Sequence, residues 1–369
     1  EMCNNNGHCR KFDAGTMCPS FRATGDEAHL TRGRANTLRL ALSGQLGASA
    51  DADVKAALDL CVSCKGCKRE CPTGVDMARM KIEFLAHYRK RHGASLRERL
   101  IAYLPRYAPW AARAAGLANL GSRAMRTVLG FTPRRALPRW RGDWFVDRAW
   151  PKRGSREVVL LVDTFNRYFE PENARAAVRV LEAANYRVHV AQPAYGERPL
   201  CCGRTFLTAG LVDEAKREAR RVLDALRPWV GLGVPVLGLE PSCLYTLRDE
   251  YPVLLPETQA LAANAYLFEE FLAAELEAGR FAPSLKPLAA RALVHGHCHQ
   301  KAFGAMGAVE RVLKQVPELE VSIIESGCCG MAGSFGYEAE HYEVSMKMGE
   351  LALLPAVRRG ASPTLAGSS

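Results

Sequence analysis

Thirteen unevenly spaced cysteines are the residues of this 369-residue chain best suited to chemistry. Residues 61–72 read C-V-S-C-K-G-C-K-R-E-C-P, with thiols at Cys61, Cys64, Cys67 and Cys71. In a Cys-x2-Cys-x2-Cys-x3-Cys-Pro run, three thiolates surround three corners of one cubane and the fourth ligates a second cluster. Structural zinc sites instead pair two knuckles a dozen or more residues apart. The run therefore predicts a 4Fe-4S cluster, with Gly66 letting the backbone approach inorganic sulfide.

A second run is expected because the fourth cysteine needs another cluster. Residues 3–19 contain it, and Cys18-Pro19 matches the Cys-Pro at 71–72, but Asn6 stands where a cysteine is expected. The complete site is then Cys18, Cys61, Cys64 and Cys67. The incomplete site is Cys3, Cys9 and Cys71. Three outcomes stay open there: a 4Fe-4S cluster with a non-cysteine ligand (Asn6, His8, water or a group upstream of Glu1), a three-iron cluster, or no cluster.

The segment between the two runs is too long for a compact ferredoxin and has helical patterns. We predict helices over 31–42, 51–60 and 75–91. The first begins with a Thr cap and carries Ala35, Leu38 and Leu42 on one face. Residues 1–92 are therefore predicted to form a helical ferredoxin domain.

A basic connector is predicted over 93–153. From 86 to 153 there are 16 Lys or Arg residues against three acidic ones. Four of the five tryptophans lie here: Trp110, Trp140, Trp144 and Trp150. Either the stretch contacts an anionic membrane or an acidic partner, through arginines such as Arg134, Arg135, Arg139 and Arg141, or it is a linker whose tryptophans pack on neighbouring modules. No nucleic-acid motif accompanies the charge, so no nucleic-acid partner is expected.

Composition places the chain among soluble globular proteins, with 48% hydrophobic and 24% charged residues. No run of 18 apolar residues occurs, so no spanning helix is expected. The chain begins at Glu1 without a signal-peptide pattern and reads as the C-terminal part of a longer protein. We expect a cytoplasmic location, with peripheral contact at the inner face of the membrane as the alternative, and a disordered tail over 361–369.

Strand–helix alternation begins near residue 157 and then repeats. The first copy predicts a strand over 158–163, a helix over 172–184 and a strand over 187–191, and the second copy follows at an offset of about 132 residues. Two Cys-Cys-Gly triplets, at 201–203 and 328–330, belong to the two copies. The predicted fold class is α/β with an N-terminal all-α domain. Its two small parallel-sheet modules, 154–285 and 286–360, would be related by a pseudo-twofold axis.

Six thiols follow predicted strands of these modules: Cys201, Cys202, Cys243, Cys298, Cys328 and Cys329. Ligands bind at the carboxyl ends of strands in open α/β folds. We therefore predict that the six converge on one shared cofactor site, a further cluster or metal, with His295, His297 and His299 nearby. The alternatives are simple packing, free thiols or a strained vicinal disulfide.

At these residues the sequence resembles a known family. The cysteine run joined to two Cys-Cys-Gly modules resembles the iron–sulfur subunits of glycolate oxidase and anaerobic glycerol-3-phosphate dehydrogenase, and the modules are similar to the Cys-Cys-Gly subunit of heterodisulfide reductase. C-N-N-N-G-H-C-R-K, M-C-P-S-F-R-A-T and T-R-G-R-A-N resemble the C-terminal half of fused FAD-linked oxidases, the D-lactate and D-2-hydroxyglutarate dehydrogenase type. Both modules lack the family's terminal Cys-x-x-Cys, which limits them to one shared site.

The resemblance implies an oxidoreductase. This chain would pass electrons from FAD, on an upstream domain or separate subunit, through one or two 4Fe-4S clusters to a quinone or other acceptor. The substrate of the flavin domain would be a D-2-hydroxy acid. Two other functions stay open: a zinc-loaded module that binds a partner, and a thiol-disulfide reductase that uses Cys201–Cys202 or Cys328–Cys329.

Overall fold

The computed structural model describes residues 3–12, 15–147 and 154–360. The chain divides into two compact units. Unit 1 comprises Glu1–Gly93, Gly130–Arg135 and Lys286–Ser369; unit 2 comprises Ala94–Leu129 and Ala136–Leu285. The unit boundaries at 93/94 and 285/286 lie within one residue of predicted domain boundaries. Unit 1 thus joins the cysteine runs to the second Cys-Cys-Gly segment. The predicted tail lies outside the described residues.

The N-terminal part of unit 1 is helical. Its helices are α1 (Pro19–Thr24), α2 (Thr31–Leu42), α3 (Ala50–Asp59), α4 (Gly66–Glu70) and α5 (Met77–His92). Leu30, Leu58 and Met77 are fully buried in a core that also contains cysteines of both runs. The bounds of α2 agree with the prediction, but its predicted cap and face need correction. Leu30 is the N-cap without a side-chain cap bond, and Leu42 is 89% exposed.

Unit 2 begins with three connector helices and continues as an α/β module. The connector helices are α6 (Leu96–Ala102), α7 (Leu104–Arg113) and α8 (Ala115–Met125). The module contains β1 (Arg156–Leu161), α9 (Thr164–Tyr168), α10 (Pro171–Ala183), β2 (Tyr186–Val190), α11 (Arg204–Thr208), α12 (Val212–Gly231), β3 (Val236–Gly238), α13 (Pro241–Tyr245), α14 (Tyr251–Leu254), α15 (Gln259–Ala263), β4 (Ala265–Leu267) and α16 (Phe268–Glu277). A π-helical turn over Thr246–Glu250 joins α13 to α14.

The sheet of unit 2 is parallel, with strand order β2-β1-β3-β4. The last four residues of β1 are buried, as expected for a strand covered by helices on both faces. From β1 the chain moves outward to β2, and from β3 it moves the other way to β4. The carboxyl ends of β1 and β3 therefore form the topological switch point, where open α/β folds bind ligands.

The C-terminal part of unit 1 contains a smaller parallel sheet. Its elements are β5 (Ala290–Val294), α17 (Cys298–Phe303), α18 (Met306–Leu313), β6 (Leu319–Ile323), α19 (Tyr342–Glu350) and α20 (Leu353–Arg359). The strand–helix–strand units β1-α10-β2 and β5-α18-β6 are the repeated part. The predicted mixture of helices and small parallel sheets is confirmed. The pseudo-twofold relation of the two modules stays a prediction.

The connector tryptophans differ in their surroundings. Trp140 is 8% exposed and packs with Tyr168 of unit 2, and Trp144 packs against the same cluster. Trp110 is 66% exposed. Trp150 lies outside the described residues. The packing interpretation therefore holds for Trp140 and Trp144 but not for Trp110. No helix in the described part of the chain is long and apolar enough to cross a membrane.

A buried histidine links the two parts of unit 1. His341 Nε2 lies 2.7 Å from an oxygen of Asp59 at the end of α3, and Nδ1 lies 3.0 Å from Glu338. Burial favours the neutral ring, but hydrogen bonds to the two carboxylates and their charge outweigh it and raise the pKa of His341 to about 9. The ring therefore carries a charge at neutral pH.

We predict that His341→Gln destabilises unit 1 in a pH-dependent way. Because the folded pKa lies above the usual value, the stabilisation is complete below about pH 6.5 and is lost as pH rises through about 9. We expect a loss of about 2 kcal/mol in unfolding free energy at pH 6.5 and less than about 1 kcal/mol at pH 10, measured by anaerobic chemical denaturation. The exposed pair member His87→Gln is the control. Equal losses at both pH values would contradict the charged-histidine explanation.

Candidate iron–sulfur and thiol sites

The loop of the main cysteine run has an unusual backbone. Ser63 and Lys65 both have left-handed φ values, 51° and 60°. Gly66 starts α4, and a Cβ there would lie 2.9 Å from the backbone of Thr16 and Met17. The close approach is therefore to the segment that leads to Cys18, in addition to any approach to sulfide. This glycine brings the two cysteine runs together.

Four thiols surround this loop: Cys18, Cys61, Cys64 and Cys67. Beyond the effect of burial, the charge of Cys67 raises the pKa of Cys64, and the charges of Cys61 and Cys18 raise the pKa of Cys67. Cys18 Sγ accepts a hydrogen bond from the backbone N–H of Thr31 at 3.1 Å. N–H donors to ligand sulfur are a main control of cluster potential. The arrangement fits the four-cysteine ligand set predicted from the spacing.

These thiols are strongly buried, which favours their neutral form. Burial raises the pKa of Cys18 to about 11, although hydrogen bonds from Thr31 and the charge of Arg34 oppose the rise. Burial, together with the charge of Cys61, raises the pKa of Cys67 to about 12. Four thiolates in this space would repel one another unless a cationic centre neutralised them. An iron–sulfur cluster would supply that neutralisation.

The incomplete site lies near Arg32. Cys9 is buried, and the backbone and charge of Arg32 oppose the rise that burial causes in its pKa. Cys3 is close enough to Cys9 to affect the same pKa. Cys71 packs on the same hydrophobic core. Asn6 is exposed, and its side-chain oxygen accepts the His8 N–H at 2.9 Å. That oxygen is engaged within its own turn.

We predict that Asn6→Cys changes the cluster in the incomplete site. With three thiolates, the fourth iron lacks a cysteine ligand, so oxidised protein should give a three-iron electron paramagnetic resonance signal. Cysteine at position 6 completes the Cys-x2-Cys-x2-Cys spacing and should abolish that signal. Asn4→Cys, also exposed but wrongly spaced, is the matched control. A three-iron signal that survives Asn6→Cys would contradict the assignment of the gap to position 6.

In unit 1 the second Cys-Cys-Gly segment meets the cluster loop. The charge of Cys328 acts on the pKa of Cys64. His299 Nε2 lies 3.1 Å from the carbonyl oxygen of Ser63, and Arg69 donates to the carbonyl oxygen of Lys301 at 2.5 Å. These contacts join the cluster loop to the start of α17.

Three thiols and a histidine form a group in this segment. Cys328 is hydrogen-bonded to Cys298 and to Cys329, and Cys329 is hydrogen-bonded to His295. Lys301 donates to the Ser326 and Gly327 carbonyl oxygens at 2.6 and 2.8 Å, and the three thiols oppose the lowering of its pKa by burial. A buried ammonium beside three thiols would stabilise negative charge that arrives there.

Unit 2 has a second thiol group at the switch point. Cys202 is hydrogen-bonded to Cys201 and Cys243. Two carboxyl groups follow the adjacent strands: Asp163 after β1 and Glu240 after β3. Burial and the Glu240 charge raise the pKa of Asp163 to about 6. The cavity among them measures about 10 Å³, room for about one water molecule. This group does not fit a cluster.

The six Cys-Cys-Gly thiols thus form two groups of three, one in each unit. Their convergence on one shared site stays a prediction. All thirteen cysteines are free, including both vicinal pairs. Within residues 3–12, 15–147 and 154–360, no three Cys, His, Asp or Glu side chains converge as a single metal ion requires. His297 lies at the N-cap of α17, where its ring accepts the His299 N–H.

Several residues near the thiols were not identified from the sequence. Arg34 on α2 is only 2% exposed and donates to Ala57 O and Ser20 Oγ. A basic residue on a helix usually extends into solvent, so the sequence had no signal for its burial. Asp163 and Glu240 could have been found, because each directly follows a predicted strand at the carboxyl edge of the sheet.

A complete four-thiol site beside a three-thiol site defines a two-cluster iron–sulfur domain. Residues 1–75 match the family model described as a 4Fe-4S dicluster domain. The chain is 26% identical to the D-2-hydroxyglutarate dehydrogenase of Escherichia coli K12, over 97% of this chain and 40% of that protein. It is 29% identical to one subunit of the anaerobic glycerol-3-phosphate dehydrogenase of the same organism, over 58% and 55% of the two chains. The identity to the glycolate oxidase iron-sulfur subunit of that organism is 27%, over 89% and 79%.

These matches confirm the resemblance to the iron–sulfur part of FAD-linked oxidases. The chain is an iron–sulfur protein related to electron-transfer parts of dehydrogenases and oxidases. It spans less than half of the D-2-hydroxyglutarate dehydrogenases and about half of the glycerol-3-phosphate dehydrogenase subunit. No solved structure matches the chain.

Proposed function

We propose that this chain is the electron-transfer portion of a flavin-dependent 2-hydroxy acid dehydrogenase. Electrons would enter from FAD, on an upstream domain or a partner subunit, and leave to a quinone or other acceptor. The observation that carries the proposal is the junction in unit 1, where the loop of the complete cysteine run lies against the second Cys-Cys-Gly thiols.

The residues of the complete site would hold a cluster that carries single electrons. Cys18, Cys64 and Cys67 are nearly excluded from solvent, which protects such a centre from water and oxygen. The Thr31 N–H and the buried charge of Arg34 lie on the Cys18 side. Both stabilise negative charge on sulfur and thereby favour the reduced state.

The junction provides the onward path. Cys64 and Cys328 are electrostatic neighbours, and the His299–Ser63 contact fixes α17 against the loop. Lys301 would stabilise an added electron among Cys298, Cys328 and Cys329. The path therefore runs from the cluster loop to these thiols within one compact unit.

The flavin and the substrate come to the proposal from the relatives. Similarity to D-2-hydroxyglutarate dehydrogenase over nearly the whole chain supports a D-2-hydroxy acid as the electron donor. The remaining part of those longer proteins would hold the flavin and the substrate.

A thiol–disulfide function is a second candidate for unit 2 alone. The hydrogen-bonded Cys202 and Cys243 lie beside a cavity too small for a cluster, with two carboxyl groups near enough to take up protons. This candidate predicts a reversible disulfide, detectable by peptide mapping, whose formation leaves the iron content unchanged.

Metal and sulfide analysis of anaerobically purified protein tests the proposal against a zinc-loaded module. We expect about seven or eight iron atoms per chain, with matching acid-labile sulfide apart from the three-iron site, and little zinc. Colourless protein with stoichiometric zinc after cluster reconstitution would overturn the proposal in favour of the partner-binding module.

A further inference from the structure

Helix α8 has an apolar face that the protein does not cover. None of its residues is buried. Leu117 and Leu120, three positions apart and therefore on the same face, are 75% and 65% exposed. Trp110 on the preceding helix α7 is also largely exposed. Surface helices normally turn their apolar face toward the core. Here three large apolar side chains point into solvent instead.

The charge around this face has one sign. From residue 99 to residue 142 the chain contains nine arginines and no aspartate or glutamate. Arg113 and Arg123 are exposed, four residues before Leu117 and three after Leu120. Leucine and tryptophan on one side with arginine along the edges, and no acidic residue, is the composition of helices that lie in an anionic membrane interface.

The arginines singled out from the sequence as the membrane contact are engaged elsewhere. Arg134 pairs with Glu343 and lies over the Tyr342 ring. Arg135 donates to the Ser345 hydroxyl at 2.7 Å. Arg141 pairs with Asp143 at 2.8 Å. These arginines hold parts of the chain together, so the set expected from the sequence is corrected in favour of Arg113 and Arg123.

We propose that the face formed by Trp110, Leu117 and Leu120, with Arg113 and Arg123, docks on the surface of an anionic lipid bilayer. The favoured occupant is a bilayer because the apolar side chains are dispersed among arginines and form no groove that would shape a protein ligand. The inference deepens the proposed function, since a quinone acceptor dissolves in the bilayer. Lipid binding itself requires no electron transfer.

Vesicle sedimentation with the cluster-loaded full chain tests the apolar contribution. We expect binding to vesicles of phosphatidylglycerol and phosphatidylcholine, and at least about tenfold weaker binding to phosphatidylcholine alone. Leu117→Ser with Leu120→Ser should weaken binding about tenfold or more. Leu42→Ser with Leu232→Ser, equally exposed leucines outside α8, should leave binding unchanged. If both double variants bind like wild type, the docking face is wrong.

A charge-matched pair tests the arginines. Arg113→Gln with Arg123→Gln should reduce affinity about 30-fold at low salt, from the usual contribution of a basic residue near an anionic surface. Arg220→Gln with Arg227→Gln, exposed on α12, removes the same charge elsewhere and should have a much smaller effect. Equal losses would indicate non-specific attraction and overturn the proposal.

Iron content and dithionite reduction, measured on the same samples, separate the two proposals. Loss of lipid binding with both unchanged supports docking through this face. Absence of wild-type binding at any lipid composition overturns the docking proposal and points to a protein partner for this face. Absence of iron would instead contradict the proposed function.

Discussion

Replacing Cys64 with Ser is expected to remove about four iron atoms per chain and to destabilise unit 1 by several kcal/mol. Cys64 is buried between the cluster loop and the carbonyl of Thr16, with its sulfur 3.8 Å from that oxygen. Serine is a much weaker ligand, and ligation contributes directly to folding where thiolates would otherwise repel one another. Iron and sulfide content, with anaerobic denaturation, measure both effects.

Cys243→Ser is the matched control for this change. Cys243 is also buried, but it lies in unit 2 beside a cavity that does not fit a cluster. The control should keep its iron. Full iron content in reconstituted Cys64→Ser protein, or equal iron loss in the control, would show that the ligand set has been wrongly assigned.

Replacing Cys328 and Cys329 together with Ser is expected to slow onward electron transfer about 10- to 100-fold while the complete cluster stays in place. These thiols adjoin Cys64 without belonging to the predicted ligand set of its cluster. The measurement is the rate at which dithionite-reduced protein is reoxidised by a soluble quinone. The reduced-cluster signal before reoxidation should equal that of wild type.

The equivalent pair in the other unit provides the comparison. Cys201→Ser with Cys202→Ser should leave the reoxidation rate near the wild-type value if the path ends in unit 1. If this pair slows electron transfer and the Cys328–Cys329 pair does not, the junction has been assigned to the wrong Cys-Cys-Gly segment.

Local patterns predicted much of the fold. The strand–helix–strand units appeared where apolar runs alternate with amphipathic segments, and α2 has its predicted bounds. The sequence did not predict that α7 and α8 are separate helices that break at Ala114, where φ and ψ leave the helical region. It also placed Leu42 on a buried face. Such details depend on tertiary packing, which periodicity does not describe.

The candidate sites divide in the same way. Ligand spacing fixed the cysteines of the cluster loop because a cubane constrains neighbours in sequence. The partners of His341 are 282 and three residues away, and Arg34 is buried against residues of another helix. Long-range contacts of this kind leave no local pattern. The grouping of the six Cys-Cys-Gly thiols into two sets likewise follows from the chain's division into units.

The central claim is that electrons from a 2-hydroxy acid reach the cysteine sites of unit 1. Rapid-freeze electron paramagnetic resonance tests it most directly, with D-2-hydroxyglutarate added anaerobically to full-length protein that contains its flavin. We predict that a reduced 4Fe-4S signal forms within the turnover time, that it is absent in Cys64→Ser protein, and that it decays when quinone is added. Substrate oxidation at the full rate, without any reduced-cluster signal in wild-type protein, would contradict the account.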